Sequence, residues 1–252
     1  MVHSTLFNLL YSATNGSWAE KDAALVAVTA NLRSLPSPDA GSQLTHRGGG
    51  GKGVLHLLPR RFWKCEQAGS FLSLAIERGR ESCGATALLS LRTNYGATPL
   101  HYFAYYCRNL SLTKMVLREH PPSLAVLTNG GWVPLRSAQS MHGSTSEVAA
   151  FFRTMSVAFN ASNFVALQTL CDGSSPYLSL EIRKQTIALR AAVAICLNRQ
   201  EEAPSALISA EFGIALALLE RVRDFGRIGN SSDLFRRVIE YVGPQAISSD
   251  AE

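Results

Sequence analysis

Catalytic or metal-binding chemistry would need histidine, cysteine or acidic side chains at short, defined spacings along this chain. The six histidines instead stand far apart, at positions 3, 46, 56, 101, 120 and 142. The sequence contains no G-x-S-x-G, no H-E-x-x-H and no acidic cluster at metal-binding spacing. Catalytic groups can meet in space without being neighbours in sequence, so this absence lowers the expectation of an enzyme without excluding one. We predict no catalytic site, no metal site and no cofactor.

The cysteines form no metal or redox motif either. They are odd in number, widely spaced and without a C-x-x-C pair: Cys65, Cys83, Cys107, Cys171 and Cys196. The first residues lack a basic segment followed by an apolar one, so we expect no secretory signal. Free thiols in a reducing compartment fit this usage, and we predict an intracellular protein, cytoplasmic or nuclear.

A glycine-rich run at residues 47–53 resembles a phosphate-binding loop, because bare backbone N–H groups beside a lysine can hold an anion. A Walker A loop requires G-x-x-x-x-G-K-[ST] after a strand. Here His46 stands at the first glycine position, and Gly53 follows Lys52 in place of serine or threonine. We interpret the run as a flexible loop rather than a nucleotide site.

The charge of the chain is mildly basic. A formal charge of +5 and a pI near 9.1 arise from 24 basic against 19 acidic residues. This positive surplus favours acidic partners. It is smaller and less clustered than the positive charge of a dedicated nucleic-acid-binding protein. One basic-aromatic cluster, residues 60–64 (RRFWK), could contact phosphate or an acidic peptide. A solvated face with an anchoring aromatic is the interpretation we favour for it.

Two apolar stretches near the C-terminus are the candidates for membrane spans. They cover residues 187–197 and 206–222, and Arg190 and Glu211 interrupt them. Each falls short of about 18 uninterrupted apolar residues. We predict that both are buried helices and that the chain has no membrane span.

One sequence motif occurs twice in the middle of the chain. Residues 93–100 read TNYGATPL, and residues 128–135 read TNGGWVPL. The second copy starts 128 − 93 = 35 positions after the first, a period typical of stacked helical repeats. Short segments of helical spacing separated by glycine and asparagine turns surround both copies. The pattern predicts an all-α fold.

The first copy encodes a turn followed by the start of a helix. Gly96 can take the positive φ of a tight turn, and Thr98 can accept a hydrogen bond from an early backbone N–H of the helix. Pro99 then stands at the first helical position, where its missing N–H is no loss. Leu100 begins the apolar stripe. We therefore expect Leu100 in the core.

These residues resemble the ankyrin-repeat family, whose signature is T-P-L-H-x-A in a period of about 33. The tetrapeptide at residues 98–101 matches it in full. The second copy keeps Pro134 and Leu135, and residues 51–56 keep a glycine together with Leu55 and His56 in the same register. The resemblance covers residues 48–159 and implies a short stack of helix-turn-helix repeats.

The rest of the chain is divided around that stack. We expect residues 1–47 to form an N-terminal helix pair, acting as a cap or degenerate repeat. Residues 160–252 are expected to be a helical region with a frayed tail. Within these limits we predict a loop at residues 40–53, and an extended loop near residues 78–87, because the first two copies stand 45 rather than 35 positions apart.

The resemblance implies that partners bind at the turn tips and along the first helices. On this basis the partner-binding residues are Arg92, Asn94, Tyr95, Tyr102, Tyr105, Asn129 and Trp132. The structural residues of the repeat are Leu55, His56, Gly96, Thr98, Pro99, Leu100, His101, Gly131, Pro134 and Leu135. Tyr95 and Trp132 have the alternative of packing against neighbouring turns, and His101 is expected to hold a structural hydrogen bond rather than a ligand.

The sequence thus predicts a non-enzymatic scaffold that binds another protein, with an acidic partner favoured and nucleic acid disfavoured. The identity of the partner is outside the sequence. An alternative from another class is an enzyme or ligand-binding domain in the helical C-terminal region, which the repeats would position.

Overall fold

The structure is a computed structural model of the 252-residue chain, and it describes residues 6–173 and 175–197. Every regular element in these residues is a helix, which confirms the all-α prediction. Contacts divide the chain into two units, Met1–Glu181 and Ile182–Glu252. The helices predicted over residues 206–225 and 232–242, and the tail from residue 243, lie outside the described residues. The alternative C-terminal enzyme or ligand-binding site was placed partly on the helix at residues 206–225, so that part of it also lies outside the described residues.

The twelve α-helices of the described residues have the following bounds. They are α1 (Leu6–Ser12), α2 (Trp18–Ser34), α3 (Ser37–Thr45), α4 (Val54–Arg61), α5 (Ala68–Ser82), α6 (Ala85–Leu89), α7 (Pro99–Tyr106), α8 (Leu110–Glu119), α9 (Pro134–His142), α10 (Glu147–Asn160), α11 (Phe164–Leu170) and α12 (Pro176–Leu197). Short 3₁₀ turns follow α1, precede α4 and connect α8 to α9.

The first unit arranges most of these helices in two rows. In one row, α1 packs against α4, α4 against α7, and α7 against α9. In the other row, α2 packs against α5 and α5 against α8. Leu55, Leu100 and Phe103 from the first row, and Phe71 from the second, are fully buried. Both rows therefore contribute side chains to the core.

The N-terminal segment holds three helices rather than the expected pair. The loop predicted over residues 40–53 is wrong for its first part, because α3 occupies Ser37–Thr45. Pro38 lies in the first turn of α3, where a missing N–H costs no helical hydrogen bond. Ala40 and Leu44, four residues apart on one face, are fully buried. Their burial stabilises a helix that the local glycine and prolines disfavour.

The extended loop predicted near residues 78–87 is also wrong. Helix α5 continues to Ser82, and the short α6 follows it. Gly84 provides the turn between them at a φ of +83°, and Leu88 and Leu89 are fully buried. The additional residues of this segment therefore lengthen one helix and add another. Pro59 lies inside α4, which ends two residues later at Arg61.

Candidate protein-interaction surface

Three turns of equal length precede α4, α7 and α9. We name them turn 1 (residues 48–52), turn 2 (93–97) and turn 3 (128–132). In each, the first residue's N–H donates to the fifth residue's carbonyl at 2.9 Å, and the fourth residue's N–H donates back to the first residue's carbonyl at 2.9–3.0 Å. The fourth residue is a glycine with a φ between +71° and +75°. The three turns thus share one backbone geometry that only glycine adopts readily.

Neighbouring turns are bonded tip to tip. The Asn94 N–H donates to the Gly50 carbonyl at 3.0 Å, and the Asn129 N–H donates to the Tyr95 carbonyl at 2.9 Å. The side-chain amide of Asn129 also donates to the Asn94 carbonyl at 2.9 Å. Two residues predicted to contact a partner, Asn94 and Asn129, therefore hold the turns together while remaining exposed.

His101 connects turn 2 to turn 3. Its Nδ1 accepts a hydrogen bond from the Thr98 N–H at 3.2 Å, and its Nε2 lies 2.9 Å from the Trp132 carbonyl oxygen. Because Nδ1 accepts from a backbone N–H, the ring proton must lie on Nε2, which donates to Trp132. Burial lowers the pKa of His101, which favours this neutral form.

Thr98 contacts His101 at the start of α7. We expected its hydroxyl to accept from an early N–H of α7. The hydroxyl also lies 2.9 Å from His101 Nδ1, and the same nitrogen accepts from the Thr98 N–H at 3.2 Å. The Thr98 hydroxyl therefore orients the His101 ring, and the ring nitrogen Nδ1 accepts a hydrogen bond from the Thr98 N–H.

His56 repeats this arrangement one turn earlier. Its Nδ1 accepts from the Gly53 N–H at 3.0 Å, and its Nε2 lies 3.2 Å from the Ala97 carbonyl oxygen. Burial lowers the pKa of His56 to about 4, with hydrogen bonds to backbone groups opposing the shift. At the matching position after turn 3 stands Arg136, which is exposed.

Four tyrosines, which we name the tyrosine cluster, lie beside turn 2 and along α7: Tyr95, Tyr102, Tyr105 and Tyr106. The ring of Tyr106 is 5.7 Å from that of Tyr102 and 4.7 Å from that of Tyr105, between centroids. Tyr95 is 72% exposed, and the other three are half-buried. The cluster thus presents one exposed and three half-buried aromatic side chains on the first row.

The environment of Tyr102 shows which groups converge there. Its ring meets the His56 ring edge-on at 5.0 Å. Burial raises the pKa of its hydroxyl, with further increases from Tyr106 and Tyr95 and a decrease from Arg60. The Arg60 guanidinium lies over the Tyr106 ring at 5.6 Å. The tyrosine cluster and Arg60 of α4 therefore form one continuous site.

The structure brings together only part of the predicted binding set. Tyr95, Tyr102 and Tyr105 belong to the tyrosine cluster. Trp132 is half-buried at turn 3, and the Arg136 guanidinium lies 4.9 Å above its ring. Its carbonyl accepts from His101, so its backbone has a structural function. Arg92 stands exposed at the base of turn 2.

Two residues of the site, Arg60 and Tyr106, were absent from the predicted binding set. Tyr106 follows Tyr102 by four positions, and Arg60 follows His56 by four, so each pair shares a helix face. That spacing was a usable signal for Tyr106. Arg60 belongs to the basic-aromatic cluster of residues 60–64, interpreted above as a solvated face, and its contact with Tyr106 depends on the packing of α4 beside α7.

Three buried cysteines carry thiols of low reactivity. Burial raises the pKa of Cys65 and Cys107 to about 11 and that of Cys171 to about 12, so these thiols stay protonated at neutral pH. Within residues 6–173 and 175–197, no three histidine, cysteine or acidic residues are grouped to hold a metal. No helix in the same part of the chain is long and apolar enough to cross a bilayer.

Comparisons with protein-family models, with curated proteins and with solved structures find no match to this chain.

Proposed function

We propose that the chain is a non-enzymatic scaffold of ankyrin-like type that binds a protein partner through its turn tips and the first-row helices. The observation that carries this proposal is the chain of three equivalent turns, bonded tip to tip, beside an accessible tyrosine cluster. Stacked helical repeats characteristically present such a surface. Residues 48–159 are its proposed extent.

The bonding between turns supports binding with a small entropic cost. Asn94, Asn129, His56 and His101 each connect one turn to its neighbour, so the surface is ordered before a partner arrives. Ordering the scaffold on binding then costs little conformational entropy, so the affinity is higher than for a flexible surface with the same contacts. Tyrosine, tryptophan and arginine supply most anchor residues in known interfaces. Tyr95, Tyr102 and Trp132 are therefore the proposed anchors.

The state of the cysteines supports an intracellular location, cytoplasmic or nuclear. Cys65, Cys83, Cys107 and Cys171 are free thiols, as expected in a reducing compartment.

Affinity capture from a lysate of the source cells tests the proposed function. The bait is the full chain, compared with a variant in which Tyr95, Tyr102 and Trp132 are all replaced by alanine. We expect the triple variant to lose most of each specifically captured protein, measured by quantitative mass spectrometry. A captured set unchanged in identity and amount would remove this surface from consideration.

Two further variants separate binding from folding. Tyr102 packs on His56, so the triple variant can lose stability, and its thermal melt must be recorded. Tyr95→Ala alone removes a side chain that is 72% exposed, and it should reduce capture with an unchanged melt. Tyr11→Ala removes another accessible tyrosine, 60% exposed, on α1, outside the proposed extent of the surface at residues 48–159, and should leave capture unchanged.

A further inference from the structure

The turns and first-row helices carry charge of one sign. Three segments, residues 46–63, 92–109 and 128–146, each contain a turn and the helix that follows it. They contain no aspartate or glutamate. They contain seven basic residues: Arg47, Lys52, Arg60, Arg61, Arg92, Arg108 and Arg136. The net charge of this surface is therefore +7, more than that of the whole chain, which is +5.

The acidic residues of the same region lie elsewhere. Between residues 46 and 146 they are Glu66, Glu77, Glu81 and Glu119, all on or directly before the second-row helices α5 and α8. Two of them pair with arginines of α5: Glu81 with Arg78 at 2.9 Å, and Glu119 with Arg80 at 2.6 Å. The second row is thus close to internally neutralised, and the unbalanced positive charge belongs to the first row.

The tyrosine cluster lies within this basic surface and adds hydrogen-bond donors. A tyrosine hydroxyl is protonated and a donor at neutral pH, and burial raises the pKa of Tyr102 further. The Arg60 guanidinium lies over the Tyr106 ring at 5.6 Å, and its N–H groups can only donate hydrogen bonds. Phenolic O–H and guanidinium N–H groups together suit carboxylates, which accept several hydrogen bonds each.

We propose that the partner docks on this surface through an acidic segment, with its carboxylates at Arg60 and the tyrosine hydroxyls. This inference rests on the proposed function and specifies the chemistry of its partner. Nucleic acid, which would also meet the positive charge, fits the tyrosines less well. Stacking of bases needs accessible rings, whereas Tyr102, Tyr105 and Tyr106 are half-buried and contact one another or His56.

Selection from a phage-displayed random peptide library, with the full chain as bait, tests the proposal. We expect the enriched peptides to be rich in aspartate and glutamate. In fluorescence anisotropy, Arg60→Glu should weaken binding of the strongest peptide by about tenfold or more, and Arg60→Gln should weaken it less. Arg33→Glu makes the same charge change at an exposed position of α2 and should leave affinity within about twofold.

Four results would overturn the inference: a library pool without acidic enrichment, no enriched pool, equal weakening by Arg33→Glu and Arg60→Glu, or tighter binding of oligothymidine than of the selected peptide. The proposed function has its own readout in the capture assay. If the tyrosine–tryptophan triple variant loses partners while Arg60→Glu retains them, the interaction surface stands and the acidic partner is wrong. If neither variant loses partners, both proposals fail.

Discussion

The imidazole Nε2 of His101 lies 2.9 Å from the carbonyl oxygen of Trp132, so a helix side chain donates to the backbone of the following turn. His56 makes the same bond to Ala97 at 3.2 Å. In both cases the opposite ring nitrogen accepts from a backbone N–H at the start of its own helix. Each histidine therefore joins a turn and its helix to the next turn, and it can do so only as the neutral ring.

Replacing His101 should destabilise the protein more than replacing the residue at the matching position of turn 3. His101→Ala leaves the buried Thr98 N–H without its acceptor and removes one of the two hydrogen bonds to the Trp132 carbonyl, which keeps the one from the Thr128 N–H. We expect this change to lower the free energy of unfolding by about 2–4 kcal/mol. Arg136→Ala removes an exposed side chain and its contact with Trp132, at a cost of about 1 kcal/mol or less. Urea denaturation of both variants measures the difference. Equal losses would show that the bond to turn 3 contributes little.

Stability should fall on mild acidification because His56 resists protonation in the folded state. Its pKa drops from 6.5 to about 4 on folding. Above pH 6.5 the ring is neutral in both states; below it, the unfolded chain gains a proton that the folded chain does not. The free energy of unfolding should therefore decrease by about 2 kcal/mol between about pH 7 and about pH 5 from this group alone.

The control for this pH dependence is His56→Gln. That variant should be less stable at neutral pH, because it loses the bonds to Gly53 and Ala97, and its stability should depend less steeply on pH. The lowered pKa of His101 leaves part of the slope in place. Urea melts at the two pH values measure both slopes. Parallel slopes in the native chain and the variant would contradict the assignment to His56.

Alanine substitutions at two turn glycines distinguish the free-energy cost of backbone strain from that of a steric clash. Gly96 and Gly131 have φ values of +75° and +72°. A Cβ on Gly96 would lie 2.4 Å from Asn129 Oδ1, whereas a Cβ on Gly131 would meet no atom within 4 Å. Gly131→Ala should therefore cost only the strain of a positive φ, about 1 kcal/mol. Gly96→Ala adds displacement of the Asn129 side chain and of the Asn129 backbone, whose nitrogen would lie 2.9 Å from the new Cβ, and should cost about 2–3 kcal/mol.

Thermal melts followed by circular dichroism distinguish these two glycine variants. A double variant, Gly96→Ala with Asn129→Ala, should recover part of the loss, because the clashing oxygen is gone. The Cβ at residue 96 would still lie 2.9 Å from the backbone nitrogen of residue 129, and the hydrogen bond from Asn129 to the Asn94 carbonyl is lost as well, so recovery should be incomplete. Equal melting temperatures for Gly96→Ala and Gly131→Ala would show that the turns move apart freely.

The turn and helix start around Gly96 and Pro99 were predictable from the sequence, and the contacts between helices were not. The turn at Gly96 and the start of α7 at Pro99 depend on residues adjacent in the chain, and both appear as expected. Helix α3 was missed because its stability comes from burying Ala40 and Leu44, which overrides local glycine and proline signals. Arg60 was placed on a solvated face because its neighbour Tyr106 lies on a helix that begins 38 positions after the end of α4.

The leucines that end the two copies of the repeated sequence motif should differ in their contribution to the free energy of unfolding. Leu100 is fully buried between the rows, while Leu135, at the matching position of α9, is half-buried. Leu100→Ala should lower the free energy of unfolding by about 2–5 kcal/mol, through lost burial and the cavity that remains. Leu135→Ala should cost less, since its site is already partly hydrated and opens no closed cavity. Urea denaturation of the two variants gives the comparison, with the slope of each transition checked for a change in the unfolded state. A larger loss for Leu135→Ala would place the better-packed end of the core at α9 and contradict the burial described here.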